Sequence, residues 1–270
     1  MTHSIKMEDT FDVDDEIKRK LDEIETAKSV KVLYACESGS RAWGFASKDS
    51  DYDVRFVYVR KPDWYLSVNV EHKRDVVELP IEGDLDINGW DLRKTMKLLA
   101  KSNPALLEWF SSDIVYKEAH GFGAETRTLM KDYYSPRAGF YHYLNMAKSN
   151  YREYLRGEKV KLKKYFYVLR PVLCMRWIER DKSIPPLDFE TLVKRTVSDD
   201  DLLASIAELL RKKRTGFESD YAKPITLIGE FLDRELLRLA DVAGELPTNK
   251  PNLEALDGHF LSVLKSDVWG

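Results

Sequence analysis

The sequence predicts an α+β fold, in which a mixed β-sheet flanked by helices comes first and an all-α part follows. Apolar runs of strand length, some alternating with polar residues, occur up to about residue 117, and such runs are typical of strands. From about residue 118 the strand signal disappears, and apolar residues recur at three- and four-residue spacing, which predicts helices. We therefore expect two domains, at 1–117 and 118–270.

The first part is expected to begin with an amphipathic helix at 14–28, where apolar residues recur at helical spacing among many charges. An apolar run at 32–36 then predicts a buried strand that ends in a Gly-Ser pair. A stretch with room for a short helix follows, and a second apolar run carries Asp51 and Asp53 near its start. This order places two carboxylates at the beginning of the second strand.

Two further strands are expected at 75–81 and 85–88, with turn residues between them. As a hairpin they would bring Asp86, an acid between apolar neighbours, near the strand that carries Asp51 and Asp53. The other elements expected in this part are a loop or short helix at 62–69, helices at 92–100 and 105–111, and a short strand at 114–116.

The part from residue 118 onward is predicted to consist entirely of helices. Pro171 lies inside one of them and is expected either to kink or to divide it. The predicted helices span 126–133, 136–156, 161–180, 188–197, 200–214, 226–243 and 253–264.

Composition excludes several classes of protein. With 270 residues, 43% hydrophobic and 33% charged, and a net charge of −3, the chain is an ordinary globular protein without the overall basic charge of a non-specific nucleic-acid binder. Cys36 and Cys174 form no metal-binding or disulfide pattern. The N-terminus has no apolar signal region and no segment is long enough to span a membrane. We expect a cytoplasmic protein with no membrane partner, and the sequence indicates no oligomeric state.

One sequence pattern indicates a catalytic site: Gly39-Ser40 is followed by Asp51 and Asp53 and then by Asp86. Carboxylates two residues apart on a strand share a face, about 7 Å apart. Carboxylates there would hold divalent ions that neutralise a triphosphate and activate an acceptor hydroxyl. Gly39 would let the backbone approach the phosphates, while Ser40 and neighbouring N–H groups bind them.

Simpler interpretations stand beside this one. A Gly-Ser pair or an Asp-x-Asp sequence alone is common, and each is more often an ordinary bend or a turn with solvated acids. Glu78, Asp84 and Asp91 lie near enough in sequence to compete with Asp86 as the third carboxylate. We prefer Asp86 because Leu85 and Ile87 place it in the middle of a strand, where a single acid is otherwise costly.

The run GSRAWGFASKDSDYDVR at 39–55 resembles the signature of the DNA polymerase beta-like nucleotidyltransferase superfamily. The segments WDLRKTMKLLAKSNPALLEW at 90–109 and KKYFYVLRPVLCMRWI at 163–178 are similar to a narrower group. That group comprises the bacterial and phage nucleotidyltransferases associated with RNA ligase and RNA repair. The resemblance covers residues 30–180.

This resemblance implies a nucleotidyltransferase-type mixed sheet followed by a helical domain. It also implies that a nucleoside triphosphate (ATP among the candidates) binds with Mg²⁺ or Mn²⁺, and that an RNA 3′ end is the acceptor. By position, it implies that Gly39 and Ser40 contact phosphate, that Asp51 and Asp53 bind metal and are catalytic, and that Asp86 is the third metal-binding and catalytic carboxylate.

A basic, tyrosine-rich stretch supplies further candidates. Residues 148–180 hold ten basic side chains against three acidic ones, which could contact phosphates, while tyrosines stack on bases. Lys148 and then Lys164 are the first candidates for nucleotide contact, although a solvated helix face is equally compatible. Arg55 shares the face of the two acids and would contact them or a phosphate. The basic run at 211–214 is interpreted as a helix C-terminus favoured by its dipole.

Two other functions remain open from the sequence. The acceptor could be a protein hydroxyl, as in AMP transfer, or a small molecule such as an aminoglycoside. The chain could also be a catalytically silent nucleotide- or RNA-binding module, although the intact Gly-Ser pair and Asp-x-Asp motif argue against this. The predicted reaction moves a nucleoside monophosphate from an NTP to a hydroxyl and releases pyrophosphate.

Overall fold

A mixed five-stranded sheet frames the N-terminal part of the computed structural model, which describes residues 13–215, 221–249 and 252–269. The two apolar runs on either side of the Gly-Ser pair form neighbouring central strands, and most of their residues are buried. The spatial order is 3-4-2-1-5. The strands are β1 (Lys31–Glu37), β2 (Tyr52–Val59), β3 (Val76–Glu78), β4 (Leu85–Asp91) and β5 (Val115–Glu118).

The register of β2 and β4 decides which polar side chains meet. These two strands run parallel, with Asp53 opposite Asp86 and Arg55 opposite Asn88. The other neighbouring pairs in this sheet are antiparallel, including the β3–β4 hairpin expected from the sequence. The predicted proximity of Asp86 to the strand of Asp53 is therefore confirmed.

Helices lie close to their expected positions, and the predicted α+β fold class is confirmed. They are α1 (Val13–Lys28), α2 (Gly39–Ala42), α3 (Pro62–Tyr65), α4 (Leu92–Ala100), α5 (Pro104–Phe110), α6 (Phe122–Tyr133), α7 (Pro136–Tyr154), α8 (Lys163–Asp181), α9 (Phe189–Thr196), α10 (Asp200–Arg214), α11 (Thr226–Val242) and α12 (Leu253–Lys265).

Hydrophobic cores form on both faces of the sheet and inside the helical part. Helix α1 packs on one face, and α4, α5, α6 and α12 share a core with the other face. The helical core gathers residues of α7 to α11 together with Phe45, which follows α2 in the N-terminal part. Since α12 returns to the sheet and Phe45 enters the helical core, apolar packing joins the two parts. The boundary at 117 stays a prediction.

Helix α8 continues through Pro171 without being divided. A proline lacks the N–H that would bond to the carbonyl four residues earlier, which here belongs to Tyr167. The side-chain amide of Asn150 on α7 donates to that oxygen at 3.0 Å. A neighbouring helix thus supplies the missing donor, and it fixes the backbone at Tyr167.

The expectation that strands end near residue 118 was wrong in one detail. Strands β6 (Val160–Lys161) and β7 (Tyr221–Ala222) form a small antiparallel sheet beside the start of α8. Two-residue strands are too short to carry a periodic signal, so the sequence could not indicate them. Within the described ranges, every helix is too short or too polar to cross a membrane.

Candidate active site

The Gly-Ser turn fits directly against Asp53. Strand β1 ends at Glu37, and the backbone of Gly39 has φ +60°, which favours glycine. The N–H of Ser38 donates to the Asp53 carbonyl at 2.9 Å. A Cβ atom at Gly39 would lie 2.0 Å from Asp53 Oδ2. Position 39 therefore requires glycine for its conformation and for the space that the carboxylate occupies.

A buried carboxylate holds the backbone of Asp53. Glu37 is 0% exposed and accepts the Asp53 N–H at 2.8 Å. Its second oxygen accepts the Tyr116 hydroxyl at 2.5 Å. Burial raises the pKa of Glu37, which these hydrogen bonds oppose. Sequence reasoning missed Glu37 because it reads as the polar end of an apolar run.

Arg55 connects the two facing carboxylates of β2 and β4. Its Nη2 donates to Asp53 Oδ1 at 3.1 Å and to Asp86 Oδ2 at 2.8 Å. The other Asp86 oxygen accepts from Asn88 Nδ2 at 2.8 Å. Asp86 is thus held by an arginine and an amide, while Oδ2 of Asp53 faces the Gly39 turn.

Negative charge accumulates at Asp53. Burial raises the pKa of its carboxyl, Arg55 opposes that rise, and the neighbouring carboxylates Asp86 and Asp51 raise it further. Ionised Asp53 is therefore held at a cost that a bound cation would relieve. This electrostatic arrangement suits a positively charged ligand.

A cavity of about 380 Å³ opens in front of the turn, within the range of roughly 300–1,000 Å³ typical of small-molecule sites. It brings together five of the residues predicted for the site. The lining residues are Ser38, Gly39, Ser40, Trp43, Phe45, Asp49, Ser50, Asp51, Asp53, Arg55, Lys163, Phe166, Tyr167 and Lys213.

Three predicted site residues lie outside this lining. Asp86 is linked to the cavity through Arg55. Lys164 lies beside the cavity, with its Nζ 4.7 Å from the ring centroid of Tyr167, which does line it. Lys148 is exposed on α7 and is not brought to the cavity.

Two lysines from the helical part reach the cavity instead. Lys163 begins α8, and Lys213 lies near the end of α10, only 7% exposed. The Lys213 ammonium lies 3.3 Å from Ser50 Oγ and donates to it. The basic run at 211–214 thus contains a side chain of the site, although its sequence indicated only a helix end. A buried lysine within that run could be found only from the tertiary structure.

A buried ion pair supports the Trp43 wall of the cavity. Arg170 donates to Glu108 Oε1 at 2.6 Å, and Glu108 Oε2 accepts the Trp43 indole N–H at 3.1 Å. The Arg170 guanidinium also lies 4.5 Å from the centroid of the Trp43 ring. Tyr143 donates to the same carboxylate. Helices α5, α7 and α8 therefore fix one wall together.

The donor set fits a hard divalent ion. Mg²⁺ is commonly held by one or two carboxylates together with substrate phosphates, and Asp51 and Asp53 both line the cavity. Over the ranges the structure describes, no three His, Cys, Asp or Glu side chains are grouped as a complete metal cage. The residues therefore fit an ion that shares its ligands with a bound nucleotide.

Comparison with known proteins agrees with this geometry. The model of a family described as the RNA repair pathway DNA polymerase beta family matches residues 13–262. The chain belongs to that family. It is therefore a DNA polymerase beta-like nucleotidyltransferase, and the resemblance expected from the sequence is confirmed.

Two individual proteins are also similar to this member of the RNA repair pathway DNA polymerase beta family. The uncharacterized protein YcgL of Bacillus subtilis is 49% identical over 255 residues, covering 94% of this chain and 96% of the relative. A solved nucleotidyltransferase-like protein from Exiguobacterium sibiricum is 10% identical, with a TM-score of 0.33 over 86% of this chain and 75% of that one. The second likeness is too low to support an inference.

Proposed function

We propose that this nucleotidyltransferase is metal-dependent and moves a nucleoside monophosphate from an NTP to the 3′-hydroxyl of an RNA. The main support is the cavity itself, which combines the Gly39 turn, three carboxylates, among them Asp51 and Asp53, and two lysines. In the reaction, the acceptor oxygen bonds to the α-phosphorus and the bond from that phosphorus to the bridging oxygen breaks. Pyrophosphate leaves, and the hydroxyl proton passes to a base or to solvent.

Each side chain of the cavity has a role suited to its chemistry. Ser40 and the backbone at Gly39 would bind phosphate oxygens, while Lys163 and Lys213 would neutralise the leaving pyrophosphate. Asp51 and Asp53 would hold Mg²⁺ or Mn²⁺, which when bound neutralises triphosphate charge and activates the acceptor hydroxyl.

Asp86 would be the third carboxylate, next to Asp53, and would help to activate the acceptor hydroxyl. In the structure Arg55 holds both carboxylates. Use of Asp86 as a third metal ligand or as a proton acceptor therefore requires the guanidinium to release it. Arg55 would then be available to contact substrate phosphate.

Lys213→Gln is expected to raise the KM for the NTP about tenfold or more, because a charge-assisted hydrogen bond to phosphate is worth about 1.5–3 kcal/mol. The kcat should also fall, because the charge on the leaving pyrophosphate grows in the transition state. Steady-state pyrophosphate release measures both constants. Lys212→Gln is the matched control, because the neighbouring Lys212 is 41% exposed and pairs with Glu208. Equal KM values for the two variants would remove Lys213 from the triphosphate site.

The proposed reaction is tested by supplying each of four α-labelled NTPs with Mg²⁺ or Mn²⁺ and a pool of RNAs with free 3′-hydroxyls. We expect label on RNA and release of pyrophosphate, both lost on chelation and in Asp53→Ala. Blocking the RNA 3′ ends should abolish the signal. Label on a protein would instead identify protein AMP transfer, and NTP binding without pyrophosphate release would identify a silent binding module.

A further inference from the structure

Lysines and tyrosines lie in contact around the first turns of α8, the helix from which Lys163 and Tyr167 line the cavity. Lys164 Nζ lies 3.9 Å from the centroid of the Tyr154 ring and 4.7 Å from that of Tyr167. Next to the start of α8, Lys161 Nζ on β6 lies 5.3 Å from the centroid of Tyr221 on β7. We name Tyr154, Lys161, Lys164, Tyr167 and Tyr221 the lysine–tyrosine rim. The small sheet thus brings a tyrosine distant in sequence to the same side as the start of α8.

Two rings of the lysine–tyrosine rim are open to a ligand. Tyr167 is 38% exposed and Tyr221 is 64% exposed. At Tyr167 the backbone is held by the Asn150 amide, which bonds to its carbonyl. An exposed ring on a held backbone offers a face for stacking at a small entropic cost.

The rim carries concentrated positive charge. Burial lowers the pKa of Lys164, and the neighbouring Lys163 and Lys161 ammonium groups lower it further, against the effect of Glu153. Mutual repulsion among three lysines is relieved by a bound polyanion. The positive sign is local, since the whole chain has a net charge of −3.

The lysine–tyrosine rim is continuous with the candidate active site. Tyr167 lines the cavity together with Asp51 and Asp53. Burial raises the pKa of the Tyr167 phenol, and the two carboxylates raise it further. A ligand stacked along the rim therefore ends within reach of the acidic site.

We propose that the lysine–tyrosine rim binds single-stranded polynucleotide and guides its 3′ end to the cavity. Its bases would stack on Tyr167 and Tyr221, and its phosphates would contact Lys161 and Lys164. Stacking on exposed rings needs unpaired bases, whereas a continuous duplex would present only its phosphates. This inference rests on the proposed function, which identifies the strand as the RNA acceptor.

Binding is tested with the full chain and a 5′-fluorescein 12-mer RNA of mixed sequence, by anisotropy over a salt series. Lys161→Gln combined with Lys164→Gln should raise the Kd about tenfold or more and reduce the salt slope by about 1.4, because each lysine contact with single-stranded phosphate contributes about 0.7. Tyr167→Ala should raise the Kd about 5- to 150-fold, while Tyr167→Phe, which keeps the ring, should stay within about twofold.

A charge-matched control is Lys97→Gln on α4 combined with Lys101→Gln directly after α4, both outside the cavity lining, and its affinity should equal that of wild type. Affinity that is unchanged in the rim variants, or reduced equally in the control, would overturn the role of the rim. Equal or tighter binding of a blunt duplex would overturn the stacking. Circular dichroism melting identifies any variant that fails to fold, and Tyr221→Ala then provides a second, more exposed ring to test.

The binding assay and the transfer assay can each reject its own proposal without rejecting the other. If RNA binds through the rim but receives no label, the proposed transfer reaction is wrong while the surface stands. If RNA receives label and the rim variants bind it normally, the surface is wrong while the reaction stands. Absence of RNA binding by the wild type at low salt would overturn the rim and favour a different acceptor.

Discussion

Asp53→Asn is expected to abolish nucleotidyl transfer while leaving the protein folded. The substitution keeps the shape of the side chain but removes a negative charge from the carboxylate that lies against the Gly39 turn. Without that charge the site would hold a divalent ion and its triphosphate poorly. We expect turnover to fall about 100-fold or more, as found when charge stabilisation of a transition state is lost.

Stability is expected to move in the opposite direction from activity. Because burial raises the pKa of Asp53 above its unfolded value, the fold loses stability as the pH rises from the unfolded pKa to that raised pKa, and the whole loss is present at higher pH. In metal-free buffer at neutral pH, the Asn variant should therefore melt at the same temperature as wild type or higher. The difference should shrink as the pH falls and Asp53 takes up a proton.

The same raised pKa predicts the acid limb of the activity profile. A protonated Asp53 binds no cation, so kcat/KM should fall as the pH drops through a value above that of an ordinary aspartate. A pH–rate profile at Mg²⁺ concentrations below saturation, where the proton competes with the ion for Asp53, measures this limb, and thermal melts of wild type and Asp53→Asn measure stability. Normal turnover in the variant would show that the metal assignment is wrong, and a large loss of melting temperature would assign Asp53 a structural role.

Local sequence signals indicated the sheet and the acidic half of the site. The apolar runs around Gly39-Ser40 form paired strands, and β3 and β4 form the expected hairpin, because strand period and turn chemistry are short-range properties. The pairing of Asp86 with Asp53 comes from the parallel contact of β4 with β2. These signals depend on a few neighbouring residues. They agree with the structure because the apolar runs form central strands that are buried on both faces of the sheet.

The two lysines that line the cavity are brought there by long-range packing, which local sequence patterns do not indicate. Lys213 reaches the Ser50 loop across 163 positions, and no local feature distinguishes it from the exposed lysine before it. Lys148 was predicted from the basic composition of residues 148–180, but in the structure it is exposed on α7 and does not line the cavity. Glu37 was missed for a related reason, since its partner Tyr116 lies on a strand far along the chain.

Gly39→Ala is expected to reduce activity almost as strongly as loss of the carboxylate itself. The added Cβ would lie 2.0 Å from Asp53 Oδ2, far inside van der Waals contact. Either the Asp53 side chain or the turn must shift, and either change separates the carboxylate from the backbone groups that would bind phosphate. Alanine at φ +60° also costs about 1–2 kcal/mol of backbone strain.

Gly83→Ala separates the steric effect from the backbone effect. Gly83 has the same φ of +60°, but a Cβ there would meet no atom within 4 Å. Both variants should lose thermal stability through backbone strain, and Gly39→Ala should lose more because its Cβ also meets Asp53, whereas only Gly39→Ala should lose turnover and metal-dependent nucleotide binding. Equal activity of the two variants would show that the turn does not need to lie against Asp53, and that the Gly-Ser turn and the carboxylate act independently.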